Sequence, residues 1–248
     1  MTAGRTGPGT HPPTPYHLLG QLPDRTRPFV THYQGPDARI ELSVASVANA
    51  VAKAASMLRD GLGVAPGAVV SVDLPRHWQL PVWAMAALSV GATVSRDLAA
   101  QADVRIVGPQ GLARIVAGAD PAADEVLASS CDAFGLPVPG GTPAGVIDVG
   151  VEVRAHPDVF SPEPGAGAAA ALLSAGARRS WAQVLQDTRP PPVIRSWVDE
   201  ATPEPGLLLA VVVEPLLVQG SVVIGIGLTP EQAAHIRSME AVTGFAGA

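Results

Sequence analysis

The stretch "LLLAVVVEPLLVQGSVVIGIGL", residues 207–228, is the longest apolar run in the chain. It constrains the fold most, because it must be kept from water. It is long enough to cross a bilayer, but Glu214, Pro215, Gln219 and Gly220 interrupt its middle, and an acidic residue there is costly in lipid. The run therefore reads as two buried strands, 208–213 and 222–226, around a short connector. Composition agrees with a large core: 47% of the 248 residues are hydrophobic and only 15% charged, below the roughly 25% usual in globular domains. Aromatics are 4%, so Val, Leu, Ile and Ala must fill that core, which favours helices packed on aliphatic strands.

Local signals along the chain predict alternating strands and helices. In "RPFVTHYQGPDARIELS", residues 27–43, two β-rich stretches flank Gly35-Pro36-Asp37 and predict a hairpin. Ser43 then caps a helix in which Val44, Val47, Val51, Ala54 and Leu58 share one face. Lys53, the sole lysine, falls on the opposite face and reads as solvated. A strand at 69–74, a helix at 79–90, short strands at 92–94 and in "DVRIVG", and a helix at 110–117 follow. A Gly/Pro loop and an extended segment come next, then helices at 181–186, 193–198 and 230–242. The expected fold class is α/β, a mixed, mostly parallel sheet with flanking helices, forming one domain over residues 16–248. Residues 1–15, dense in Gly, Pro and Thr, read as a disordered leader.

Charge and cysteine content exclude several classes. The net charge is −6 and no basic run exceeds Arg178-Arg179, so nucleic acid is not an expected partner. The single cysteine, Cys131, excludes an internal disulfide and a cysteine-based zinc site, and fits a reducing, cytoplasmic setting. The six histidines show neither HxxxH nor HExxH spacing, so no metal site is expected.

The order of elements resembles the amino-terminal part of the adenylate-forming superfamily, which includes acyl-CoA synthetases, peptide-synthetase adenylation domains and luciferases. The matching segments are "ARIELSVASVANAVAKAASMLRDGLGVAPGAVVSVDLP", "HWQLPVWAMAALSVGATV" and "EPLLVQGSVVIG". The last is similar to a family segment in which a leucine-rich helix leads through a glycine to a buried strand. Within the superfamily the chain most resembles short actinobacterial members that stop early.

That resemblance implies ATP-dependent ligation, but the family's chemistry is largely missing. Members hold the ATP phosphates in a Ser/Thr/Gly-rich loop ending in Pro-Lys. The corresponding segment here is "ALLSAGARRSWAQVLQD", where only Ser174 and Gly176 match and no lysine is present. The adenine, ribose and metal sites and the lysine-bearing lid of the family lie beyond the segment that ends near Ala248. The expectation is a truncated, degenerate member with no catalytic residue and no cofactor, acting as a binding or regulatory module. Its expected partner is another protein or a second copy, through apolar surface that truncation uncovers. The alternative is a weak ATP or AMP binder using Ser174, Gly176, Arg178 and Arg179, completed by a second chain.

Other motifs lead nowhere stronger. Gly165 to Ala170 fit GxGxxA with Asp187 further on, but "FSPEP" and not a strand precedes them. Ser174 lacks the GxSxG frame of a hydrolase nucleophile. His77 follows a strand at the end where open α/β sheets bind ligands, although the position also suits a helix start. Cys131 reads as half-buried, and Trp78, Trp83 and Trp181 as core.

Overall fold

The computed structural model describes residues 11–98, 101–119, 123–174, 176–190 and 193–245. Thr14 caps α1 (Pro15–Gly20), and the expected hairpin forms from β1 (Pro28–Gln34) and β2 (Arg39–Ser43), paired antiparallel. Ser43 Oγ accepts from Ser46 N at 3.2 Å and starts α2 (Val44–Ser56), which continues as a π-helical turn, Met57–Gly61. Then follow β3 (Val69–Asp73), α3 (Gln79–Ser89), β4 (Thr93–Ser95), β5 (Ala102–Val107), α4 (Pro109–Val116), β6 (Ala123–Ala128) and β7 (Val146–Asp148). After the short α5 (Val149–Glu152) and α6 (Ala166–Ala169) come β8 (Ala171–Ser174), β9 (Ala177–Ser180) and α7 (Trp181–Asp187). The described chain closes with β10 (Arg195–Val198), α8 (Glu204–Leu208), α9 (Glu214–Leu217), β11 (Ser221–Ile226), α10 (Pro230–Met239) and β12 (Gly244–Phe245).

The strands form two sheets. One has the order β12-β10-β11-β1-β2, and the other β7-β6-β5-β3-β4-β8-β9. Among the described residues only the β1–β2 and β8–β9 pairs are antiparallel, and each joins neighbours in sequence. The fold is thus α/β with mixed, mostly parallel sheets. Its main core joins both sheets through α2 and α3: Phe29, Val222 and Ile224 of the first sheet share it with Val70, Val94 and Ile106 of the second. All eleven residues of α3 are buried, as a helix sandwiched between layers requires. A smaller cluster of Tyr33, Trp197, Val223 and Ile236 packs α10 on the outer face of the first sheet.

Two assignments differ from the sequence expectation. Residues 204–217 are helical throughout, with a π-helical stretch Leu209–Val213 between α8 and α9, where a strand at 208–213 was expected. A run apolar on every side carries no periodicity; here Pro205 sits at a helix start, where its missing N–H costs nothing, and Pro215 lies just past the π-helical stretch. Residues 193–198, expected as a helix, contain β10 instead, an interior strand between β11 and β12.

The expected leader divides. Residues 1–10 lie outside the described residues, whereas residues 12–15 are packed: Thr14 is buried, and fully buried Trp181 donates its indole N–H to Pro13 O at 2.8 Å. Lys53 is also less solvated than its helix face suggested. Its ammonium donates to His156 O at 2.9 Å and pairs with Asp158.

Candidate functional site

Parallel strands of an α/β sheet present ligands at their carboxyl ends, where the loops leave them. In the second sheet β3, β4 and β8 end side by side, and a crevice of about 580 Å³ opens over them. Its floor is aliphatic, from Leu172 and Leu173 of β8, Val184 of α7, and Leu208 and Leu209 around the end of α8. Its polar groups are Asp73, Arg96, Asp97, Ser174, Arg179 and Glu204. A second lobe of about 470 Å³ shares Asp73, Arg96 and Glu204 and reaches Gln34 and Ile226 of the first sheet.

Glu204 organises the junction of the two lobes. Its carboxylate takes Arg76 Nη1 on one oxygen and Arg96 Nε on the other, each at 3.0 Å. Arg96 Nη1 also donates to Val72 O at 3.0 Å and Leu74 O at 2.9 Å, and Arg76 Nη2 donates to Thr202 O at 2.7 Å. Both guanidiniums are therefore spent on holding α8 against the strand ends. Asp73 pairs with Arg114 of α4. Arg179 is the looser cation, 41% exposed, with one long contact to Asp187 at 3.4 Å. Such an exposed pair holds little energy, on the order of 0–1 kcal/mol, so Arg179 is easily recruited by a ligand.

The four residues expected to mark a nucleotide site are divided by the hairpin β8–β9. Ser174 pairs with Ala177, so only two residues of sequence separate the strands, and Gly176 takes a left-handed φ of 76° that glycine adopts without strain. Ser174 and Arg179 face the crevice, whereas Gly176 and Arg178 do not line it. Neighbouring residues in a strand point to opposite faces, and Arg178 reaches Thr93 Oγ1 at 3.4 Å and Ala169 O at 3.3 Å instead. The two arginines do not act as a pair.

This hairpin does not fit an ATP triphosphate and its magnesium ion. A two-residue connection supplies few amides for phosphate oxygens, and the sole lysine lies in another part of the fold, on α2. Among the described residues, no three His, Cys, Asp or Glu side chains converge as metal ligands. Cys131 lines the second lobe, but burial pushes its thiol up to about 11 despite the Ser129 contact, so it stays protonated and is not an activated nucleophile.

His77 is buried, 3% exposed, and its ring meets His32 edge-on with centroids 4.6 Å apart. It does not line the crevice. The GxGxxA match also lacks its context, since α6 has four residues and no strand leads into it; Gly167 is pressed against the Pro12 carbonyl, where a Cβ would not fit. Sequence reading missed Asp73, Arg96 and Glu204. Asp73 is the last residue of its strand, in "SVDLP", and Arg96 follows one directly, in "VSRD", and that position was the available signal.

The fold is that of acyl-CoA synthetases. An acyl-CoA synthetase from Brucella canis matches with a TM-score of 0.70 over 93% of this chain and 47% of that enzyme, at 18% identity. A fatty acyl-CoA synthetase from Mycobacterium tuberculosis gives 0.63 over 93% and 48%, at 15% identity. An anthranilate-CoA ligase solved with anthranoyl-AMP gives 0.62 over 85% and 44%, also at 15%. In sequence, a family protein of Mycobacterium tuberculosis is 36% identical over 167 residues, 66% of this chain and 65% of its own. No family model matches the chain. The chain therefore spans under two thirds of that relative and about half of each synthetase. No helix among the described residues is long and apolar enough to cross a membrane.

Proposed function

We propose that the chain is a binding or regulatory module built on an acyl-CoA-synthetase scaffold, and that it does not itself adenylate a substrate. The observation that carries this reading is the β8–β9 hairpin: the place where the family resemblance puts the phosphate loop is a two-residue connection without a lysine. The core shared by both sheets supports reading residues 16–248 as one unit, and the free thiol of Cys131 supports a reducing, cytoplasmic setting. Exposed apolar side chains such as Val116, Ile194 and Met239 support contact with another protein or a second copy.

Calorimetry with ATP, AMP and a non-hydrolysable acyl-adenylate tests the central point, and no heat of binding is expected from any of them. A second reading, residual nucleotide binding completed by a partner chain, is favoured by one observation, the open crevice lined by Ser174 and Arg179. That reading requires micromolar binding that Arg179→Ala abolishes and Arg178→Ala leaves intact, an outcome that would sink the first. Light scattering on a sizing column reports self-association, and a monomer at all concentrations would remove the second copy as partner.

A further inference from the structure

A third cavity, of about 160 Å³, lies apart from the crevice, between α2, α3 and the loop that follows β6. Its walls are Trp78, Trp83 and Phe134, with Gln79 on its lining and Lys53 and Arg154 among its polar groups. A dry cavity of about this size accepts one benzene ring. Three features show what else an occupant must carry.

The first is an unused donor. Gln79 is 94% buried, being 6% exposed. Ser129 Oγ accepts from Cys131 N at 3.0 Å and directs its own proton to Gln79 Oε1. The amide nitrogen is thereby turned toward Gly135, which also lines the cavity, and it has no partner among the described residues. That N–H is free to donate to an oxygen of a ligand in the cavity. The second is charge. Lys53 is held by His156 O and Asp158, while Arg154 makes no hydrogen bond or ion pair among the described residues. The third is Phe134, a large ring left 80% exposed beside the opening.

We infer that this cavity is a binding site for a single-ring aromatic anion. The ring lies among Trp78, Trp83 and Phe134, an oxygen on it accepts from the Gln79 amide, and the negative group at its other end meets Arg154. The class is defined by ring and charge and not by a carboxyl group able to be activated. The site is independent of the crevice and of the proposed loss of adenylation.

The probe is 4-hydroxybenzenesulfonate, which cannot form an acyl adenylate. Titrated into the full ¹⁵N-labelled chain at low ionic strength, it is expected to shift the Trp78 and Trp83 indole signals saturably and leave those of Trp181 and Trp197 in place. Arg154→Ala, a surface change, should weaken it roughly fivefold, as loss of a part-exposed ion pair does. Val153→Trp should abolish it by filling the cavity; a melting curve verifies folding, and if that variant fails to fold, Arg154→Ala decides. Absence of saturable shifts, shifts confined to Trp181 or Trp197, or equal affinity in Arg154→Ala would each overturn the assignment.

Discussion

Tyr33 Oη donates to Glu240 Oε1 at 2.6 Å, joining residues 207 positions apart in sequence. The same carboxylate takes Arg39 Nε at 2.7 Å and Arg195, so β1, β2, β10 and the end of α10 meet at one acidic group. Burial would raise the Glu240 pKa, but the bonds from Arg39, Tyr33 and Arg195 outweigh it and hold the group down to about 2.

A depressed carboxylate stabilises the folded state above its unfolded value of 4.5, and that contribution is lost as pH falls from 4.5 toward 2. Glu240→Gln should cost about 1–2 kcal/mol near neutrality, after discount for solvent screening. Urea unfolding at pH 7 and pH 3 measures it. The gap between the variant and the wild type should narrow at the lower pH, and a gap of unchanged size there would contradict the assignment.

The buried His32 and His77 work over a different window. Burial lowers both, His32 to about 4 with the Arg76 backbone opposing, and His77 to about 3 with the neighbouring His32 adding to the effect. The unfolded chain takes up protons near 6.5 while the folded one does not, so stability is complete above 6.5 and falls as pH drops toward 4. The unfolding midpoint should slope through this range in the wild type and flatten in a His32→Leu/His77→Leu double variant. Parallel slopes would show that the pair does not titrate this way.

Gly176 tests the hairpin turn. At its φ of 76°, a side chain with a branched Cβ is strained by about 1–2 kcal/mol. Gly176→Val should lower the melting temperature, and it should speed amide exchange in β8 and β9 before the rest of the second sheet. A change spread evenly over the molecule would argue against a local effect.

Much of the architecture was legible because local chemistry announced it. Ser43 and Thr229 cap helices that begin where the sequence places them, and the Gly35 turn closes the hairpin it predicts. Segments 208–213 and 195–198 were misread because burial on every side erases the contrast between polar and apolar faces. The strand-end residues Asp73 and Arg96 stood in plain view, but Glu204 reaches them from a helix more than 100 residues away, as shown by its contact with Arg96 at a separation of 108. Proximity of that kind is a property of topology and not of any local pattern.

The opposite facing of Arg178 and Arg179 means that the crevice's charge depends on counting. One residue inserted between Gly176 and Arg178 would rotate every following side chain of β9 through the sheet, sending Arg179 out of the crevice and Arg178 into it. A second insertion would reverse the exchange. Length changes in this turn would therefore act as a parity switch on which guanidinium a ligand meets, with no amino acid replaced.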